Sequence, residues 1–144
     1  MYKKILVPLD GTRYSEAIIP HAQALAKNEG AEIVLLTIPI NLSVDFIARN
    51  PGLTAKAMDE TDIATDKYLD GKVAELKKNG AHVSGLIREG LASETILSVA
   101  EEIHADVIAM TTHGRTGIKR WLMGSVADEI IHSAHVPVIV VHPN

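Results

Sequence analysis

Five short apolar runs, separated by longer stretches with helical spacing, constrain this chain more than any other feature. The runs are residues 3–9, 31–38, 81–88, 106–111 and 136–141. Each is too brief for a stable helix, and most are rich in Val and Ile, so they read as strands. Between the first two, Ile18, Ala22, Leu25 and Ala26 recur at helical spacing, with Ser15 as the expected cap and Asn28 to Gly30 as the stop. Pro20 predicts a bend or an irregular first turn there. Ile63, Leu69, Val73 and Leu76 mark a helix over about 54–79, and Ile96, Leu97, Ala100 and Ile103 mark another that Ser93 would cap. A last helix opens at Gly124-Ser125, where Ser125 and Asp128 have capping-box spacing.

The resulting βαβαβαβαβ order predicts an α/β fold: a single-domain, Rossmann-like three-layer sandwich with a five-stranded parallel sheet and helices on both faces. Right-handed crossovers leave 3-2-1-4-5 and 2-1-3-4-5 as the common strand orders. Residues 40–55 break the rhythm. Pro39 and Pro51 fence them off, and Val44, Phe46 and Ile47 suggest only a short helical piece in a variable loop. With 144 residues, the whole of 1–144 is expected to form one domain.

Composition excludes several chemistries. No cysteine is present, which removes disulfide frameworks, thiolate metal sites and Cys nucleophiles. The net charge of −4 and only 3% aromatic residues argue against nucleic acid as a partner. The first apolar run stops at Pro8 and Asp10, too short for a signal peptide or a membrane span, so a cytoplasmic location is expected and no membrane partner. There is no P-loop run, no Gly-x-Gly-x-x-Gly and no Gly-x-Ser-x-Gly elbow. His132, His135 and His142 lack a metal-ligand pattern.

In doubly wound sheets, ligands bind outside the carboxyl ends of the strands where the strand order reverses. For order 3-2-1-4-5 that point lies between strands one and four. It brings together Pro8-Leu9-Asp10-Gly11 and Met110-Thr111-Thr112-His113-Gly114. The loop after strand four carries Gly114 and Gly117 and leads to Gly124 at a helix start, where bare backbone N–H groups suit an anion. Asp10 and His113, with Arg115, Lys119 or Arg120, would be the groups available for a slow hydrolysis. Their simpler reading is an Asp that orders its loop and a solvated basic face.

Thr111-Thr112-His113-Gly114, nine residues, then Gly124-Ser125-Val126 resembles the nucleotide signature of the universal stress protein family. The opening Lys-Lys-Ile-Leu-Val-Pro-Leu-Asp-Gly-Thr, the Arg-Glu-Gly of 88–90 and the closing Val-Pro-Val-Ile-Val-Val are also similar to that family. The resemblance implies the 3-2-1-4-5 sheet, ATP binding, dimerisation and a stress-response role. It implies a nucleotide site of Pro8, Leu9, Asp10, Ile38, Met110, Thr111, His113, Gly114, Gly124, Ser125 and Val126. Asp10 would also approach a phosphate-bound Mg²⁺ or Mn²⁺. One departure is Thr111, which stands where the family signature has its first glycine.

With that strand order the final run, Val136 with Val138, Ile139, Val140 and Val141, lies at a sheet edge without a guarding charge. An apolar edge invites pairing, so a homodimer through the equivalent strand of a twofold copy is expected. The other edge, 81–88, carries His82, Ser84 and Arg88 and protects itself. The leading functional reading is a nucleotide-dependent regulator or sensor with an unidentified protein partner. The alternatives are an interaction module without nucleotide and a slow ATP hydrolase.

Overall fold

A computed structural model describes the backbone of residues 1–39, 51–112 and 124–143, and the side chains of 1–39, 65–112 and 125–143. Its strands are β1 (Lys4–Leu9), β2 (Glu32–Thr37), β3 (His82–Ile87), β4 (Val107–Thr111) and β5 (Val138–Val141). Its helices are α1 (Ile19–Glu29), α2 (Pro51–Lys78), α3 (Ala92–Glu102) and α4 (Gly124–Ser133). The strands form one sheet of order β3-β2-β1-β4-β5, and every pairing is parallel. This is the 3-2-1-4-5 order, with the reversal between β1 and β4.

Alternation along the strands builds two cores. Ile5, Val7, Leu9, Ile33, Leu35, Val107 and Ala109 face one side and pack with Ala22 and Ala26 of α1 and Leu69 and Leu76 of α2. Leu6, Val34, Leu36, Ile38, Ile108 and Met110 face the other, against Ile96 and Val99 of α3 and Ala127 and Ile130 of α4. Slipping a strand by one residue would exchange the two sets, and each buried Leu or Ile is worth about 1.5–3 kcal/mol, so register is firmly held. At Gly85 the missing side chain admits α2: an added Cβ would lie 2.9 Å from Leu69 Cγ and 3.1 Å from Val73 Cγ2.

Several local expectations are corrected. The loop expected over 40–55 is already helix from Pro51 onward. Proline suits the first helical position, where an N–H would have no partner, so Pro51 starts α2 instead of fencing it off. The short helical piece expected at Val44, Phe46 and Ile47 lies outside the described residues. Ser15 does not cap α1. It begins a single 3-10 turn, Ser15–Ile18, after which α1 starts afresh with Pro20 in its first turn. The irregular start expected from Pro20 is therefore present, and the missing N–H falls where it costs nothing. Ser93 is not the cap of α3 either, since the helix begins at Ala92 after Leu91. Its hydroxyl instead donates to Glu129 Oε2 of α4, tying the two helices together. With α4 starting at Gly124, Ser125 is inside the helix and its pairing with Asp128 is not a capping box. The last strand is shorter than expected, because Val136 and Pro137 precede it.

Candidate functional site

The two seams flanking β1 differ. On one side β1 pairs with β2 along its whole length, from Lys4↔Glu32 to Leu9↔Thr37. On the other, pairing with β4 is confined to Ile5↔Val107 and Leu6↔Ile108, although the strands continue to Leu9 and Thr111. The β1/β4 ladder therefore stops short of the carboxyl ends of the two strands, at the point where the strand order reverses. α4 runs back antiparallel to the strands, so its N-terminus lies at this same end of the sheet, where a helix has N–H groups without intrahelical partners and the positive end of its dipole.

Asp10 follows β1 at the rim and is buried. Its Oδ1 accepts from the Thr12 backbone N–H at 2.9 Å and from the Thr12 hydroxyl at 2.5 Å. Gly11, at φ +86°, takes the left-handed conformation that this tight turn requires. The Asp10 N–H donates to Ser15 Oγ at 3.2 Å, and the Ser15 hydroxyl donates to the Thr12 carbonyl at 2.8 Å. The turn is thus closed on itself, and Asp10 orders it.

A second layer buttresses the turn from α2. The Tyr68 hydroxyl donates to Glu16 Oε2 at 2.7 Å, and Lys72 Nζ lies 2.7 Å from Glu16 Oε1 and 3.2 Å from Glu75 Oε2. Burial, and then the Glu16 carboxylate, push the Tyr68 pKa well above that of an ordinary tyrosine. Burial alone would lower the Lys72 pKa, but Glu16 and Glu75 outweigh it and raise the value.

The residues expected from sequence divide by face. Ile38 and Met110 are buried on the α3/α4 side, with Val126 half-buried against the same core. Pro8 shares that face by strand alternation. Leu9 is fully buried in the opposite core, so only its backbone is available at the switch point. Alternation also turns the Thr111 side chain toward the α1/α2 side, with Val107 and Ala109 and away from Met110. The added methyl and hydroxyl thus stand on the other face from Ile38. Gly124 and Ser125 form the first turn of α4, with Ser125 exposed. His113 and Gly114 lie outside the described residues, as do Arg115, Gly117, Lys119 and Arg120.

Glu16 and Tyr68 were not singled out from sequence, and Ser15 was read only as a helix cap; an Asp followed two residues later by Thr is a readable turn signal. Thr37 was also missed. Its buried Oγ1 has no hydrogen-bond partner among the described residues. Among the described residues, no three His, Asp or Glu side chains gather to hold a metal ion, and no helix is long and apolar enough to cross a membrane.

Fold and ladder together define a doubly wound, all-parallel α/β protein whose β1/β4 pairing ends early at the switch point. The sequence profile of the universal stress protein family matches residues 1–142, and the chain belongs to that family. Universal stress protein MJ0531 of Methanocaldococcus jannaschii is 34% identical over 146 residues, spanning 98% of this chain and 82% of that one. Universal stress protein MJ0577 of the same organism is 31% identical over 155 residues, spanning 98% and 95%. The solved structure of MJ0577 superposes with a TM-score of 0.75 at 29% identity, covering 100% of this chain and 98% of that one. A universal stress protein from Archaeoglobus fulgidus, solved in complex with dAMP, has a TM-score of 0.68 at 22% identity, covering 96% and 97%; at that identity the likeness is one of fold.

Proposed function

We propose that this protein binds an adenine nucleotide, ATP, in the β1/β4 crevice, and acts as a nucleotide-dependent regulator of a stress response in the cytoplasm rather than as a catalyst. The observation that carries the reading is the seam that stops at Leu6↔Ile108 beside the N-terminus of α4. An apolar flank of Ile38 and Met110 suits a base, and the backbone N–H groups of the first turn of α4, at Gly124 and Ser125, suit phosphate oxygens. The dAMP complex of the Archaeoglobus relative supports the choice of adenine nucleotide.

Pro8, Leu9 (through its backbone), Asp10 and Thr111 would complete the described part of the site, with His113 and Gly114 from the following loop. Among the described residues both of the Thr12 bonds fall on Oδ1 of Asp10, and its other oxygen would serve as a hard donor to a phosphate-bound Mg²⁺ or Mn²⁺. Such an ion would neutralise phosphate charge. The commitment of Asp10 to its own turn supports an ordering role over activation of a water molecule.

Calorimetric titration with ATP and Mg²⁺ tests the reading. Saturable binding at one site per chain is expected, and no heat of binding across the millimolar range would overturn it.

The same reading takes residues 1–144 as one domain that dimerises through β5. The carbonyls of Pro137 and Val141 accept from the N–H groups of Ile108 and Thr112, so odd positions of β5 face β4. Val138 and Val140 therefore turn their backbone groups outward, along a half-buried, uncharged edge. Val140→Pro removes one outward N–H while sparing the β4 ladder. Sedimentation velocity should show wild-type dimers and Val140→Pro monomers with unchanged circular dichroism. A dimeric variant would exclude this edge as the interface.

A further inference from the structure

Proline is rare inside a central strand because it cannot donate to the ladder. Pro8 nevertheless lies in β1, the central strand, and the side on which its donor is missing can be worked out. The Lys3 carbonyl accepts from the Glu32 N–H of β2 at 2.9 Å, and the Lys4 carbonyl accepts from the Asp106 N–H beside β4, also at 2.9 Å. Successive residues of a strand direct their backbone groups to opposite neighbours, so odd positions of β1 face β2 and even positions face β4. Pro8 is even. Its missing N–H falls on the β4 side, and pairing with β2 passes position 8 undisturbed at Pro8↔Leu36.

On the β4 side the consequence is visible. Extending the register of Leu6↔Ile108 places position 8 level with Met110, where an N–H would meet the Ala109 carbonyl in a parallel ladder. With proline there the bond is not available, and Leu6↔Ile108 is the last pair. We propose that Pro8 is a positioning residue for the nucleotide site: by lacking a donor toward β4 it ends that ladder and holds the crevice open. The ligand in this proposal rests on the nucleotide reading above, whereas the geometry rests on the backbone alone.

Pro8→Val restores the donor and keeps a buried apolar side chain. In uniformly ¹⁵N-labelled Pro8→Val protein, the new amide at position 8 should be strongly protected from hydrogen exchange, and affinity for ATP·Mg²⁺ should fall on the order of tenfold or more. N-methylalanine at position 8, installed by peptide ligation, again lacks the N–H and should recover most of the lost affinity. Pro8→Ala provides the same exchange and affinity readings if the valine variant fails to fold.

Unchanged ATP affinity in a variant whose amide is protected would overturn the proposal. Rapid exchange of the position 8 amide would overturn it too, because the ladder would not have closed. Equal weakening by valine and N-methylalanine would assign the effect to ring contacts and exclude the missing donor. If wild-type protein binds no ATP, the nucleotide reading falls, and hydrogen exchange at position 8 still decides whether proline is what parts the strands.

Discussion

β1 has two seams made by the same six residues, one sealed and one open. Toward β2 every position pairs, and Leu35 and Leu36 are fully buried beside it. Toward β4 the pairing ends after two positions, and the buried Asp10 turn and the start of α4 stand over the opening. The difference does not come from hydrophobicity, because Met110 and Thr111 on the open side are as buried as their counterparts on the sealed side. It comes from backbone hydrogen bonding. A sheet can keep a continuous apolar core and still part at one end where a single donor is withheld.

The sharpest way to break the comparison is to damage the sealed side. Leu35→Ala removes a fully buried side chain and should cost about 2–5 kcal/mol, read by urea denaturation. A loss under 1 kcal/mol would mean that this core is far looser than its burial implies. On the open side Gly124→Val should act in the opposite manner. It places a branched side chain at the start of α4, where phosphate oxygens would approach, and should weaken ATP binding by roughly tenfold or more, about 1.4 kcal/mol or above. Stability should change little. Unchanged affinity would move the phosphates away from α4.

Thr37 ends the sealed seam, opposite Leu9, and its hydroxyl is buried without a partner among the described residues. Thr37→Val keeps the shape and removes the unsatisfied group, so it should stabilise the fold by about 1 kcal/mol in the same denaturation assay. Destabilisation would show that the hydroxyl is bonded after all.

The smallest effect concerns the buttress of the Asp10 turn and appears only in alkali. Folding raises the pKa of Tyr68, so the folded state holds its phenol proton beyond pH 10, where an unfolded tyrosine releases it. The contribution is complete below pH 10 and is lost as pH rises through the folded value. Lys72, also raised, acts in the same direction. Tyr68→Phe should therefore show a flatter decline in thermal stability between pH 9.5 and 11 than wild type. Identical slopes would remove Tyr68 as a contributor.

The strands and the order of elements were legible because the three inner runs, β1, β2 and β4, are apolar and buried on both faces, a pattern that a covered parallel sheet produces, while the half-exposed β3 and half-buried β5 are its edges. The caps were not legible. Ser15 and Ser93 are good capping residues by type, but Ser15 turns back to close the Asp10 turn that precedes it, and Ser93 reaches across to Glu129, a partner remote in sequence. Pro51 was misread for a related reason. A proline reads alike whether it bars a helix or begins one, and the backbone around it decides. For the site, the residue types near the switch point were readable from their motif. The division of Leu9 and Thr111 from Ile38 and Met110 was not, since it depends on which core each strand face meets.

The amino-acid sequence by itself determined the alternation of strands and helices and the presence of Pro8 within the first strand, because apolar periodicity and a missing N–H are local properties. Only the tertiary structure decided what Pro8 does. A strand has two hydrogen-bonding sides that the sequence treats alike, and the neighbour facing position 8 is known only once β2 and β4 have taken their places beside it.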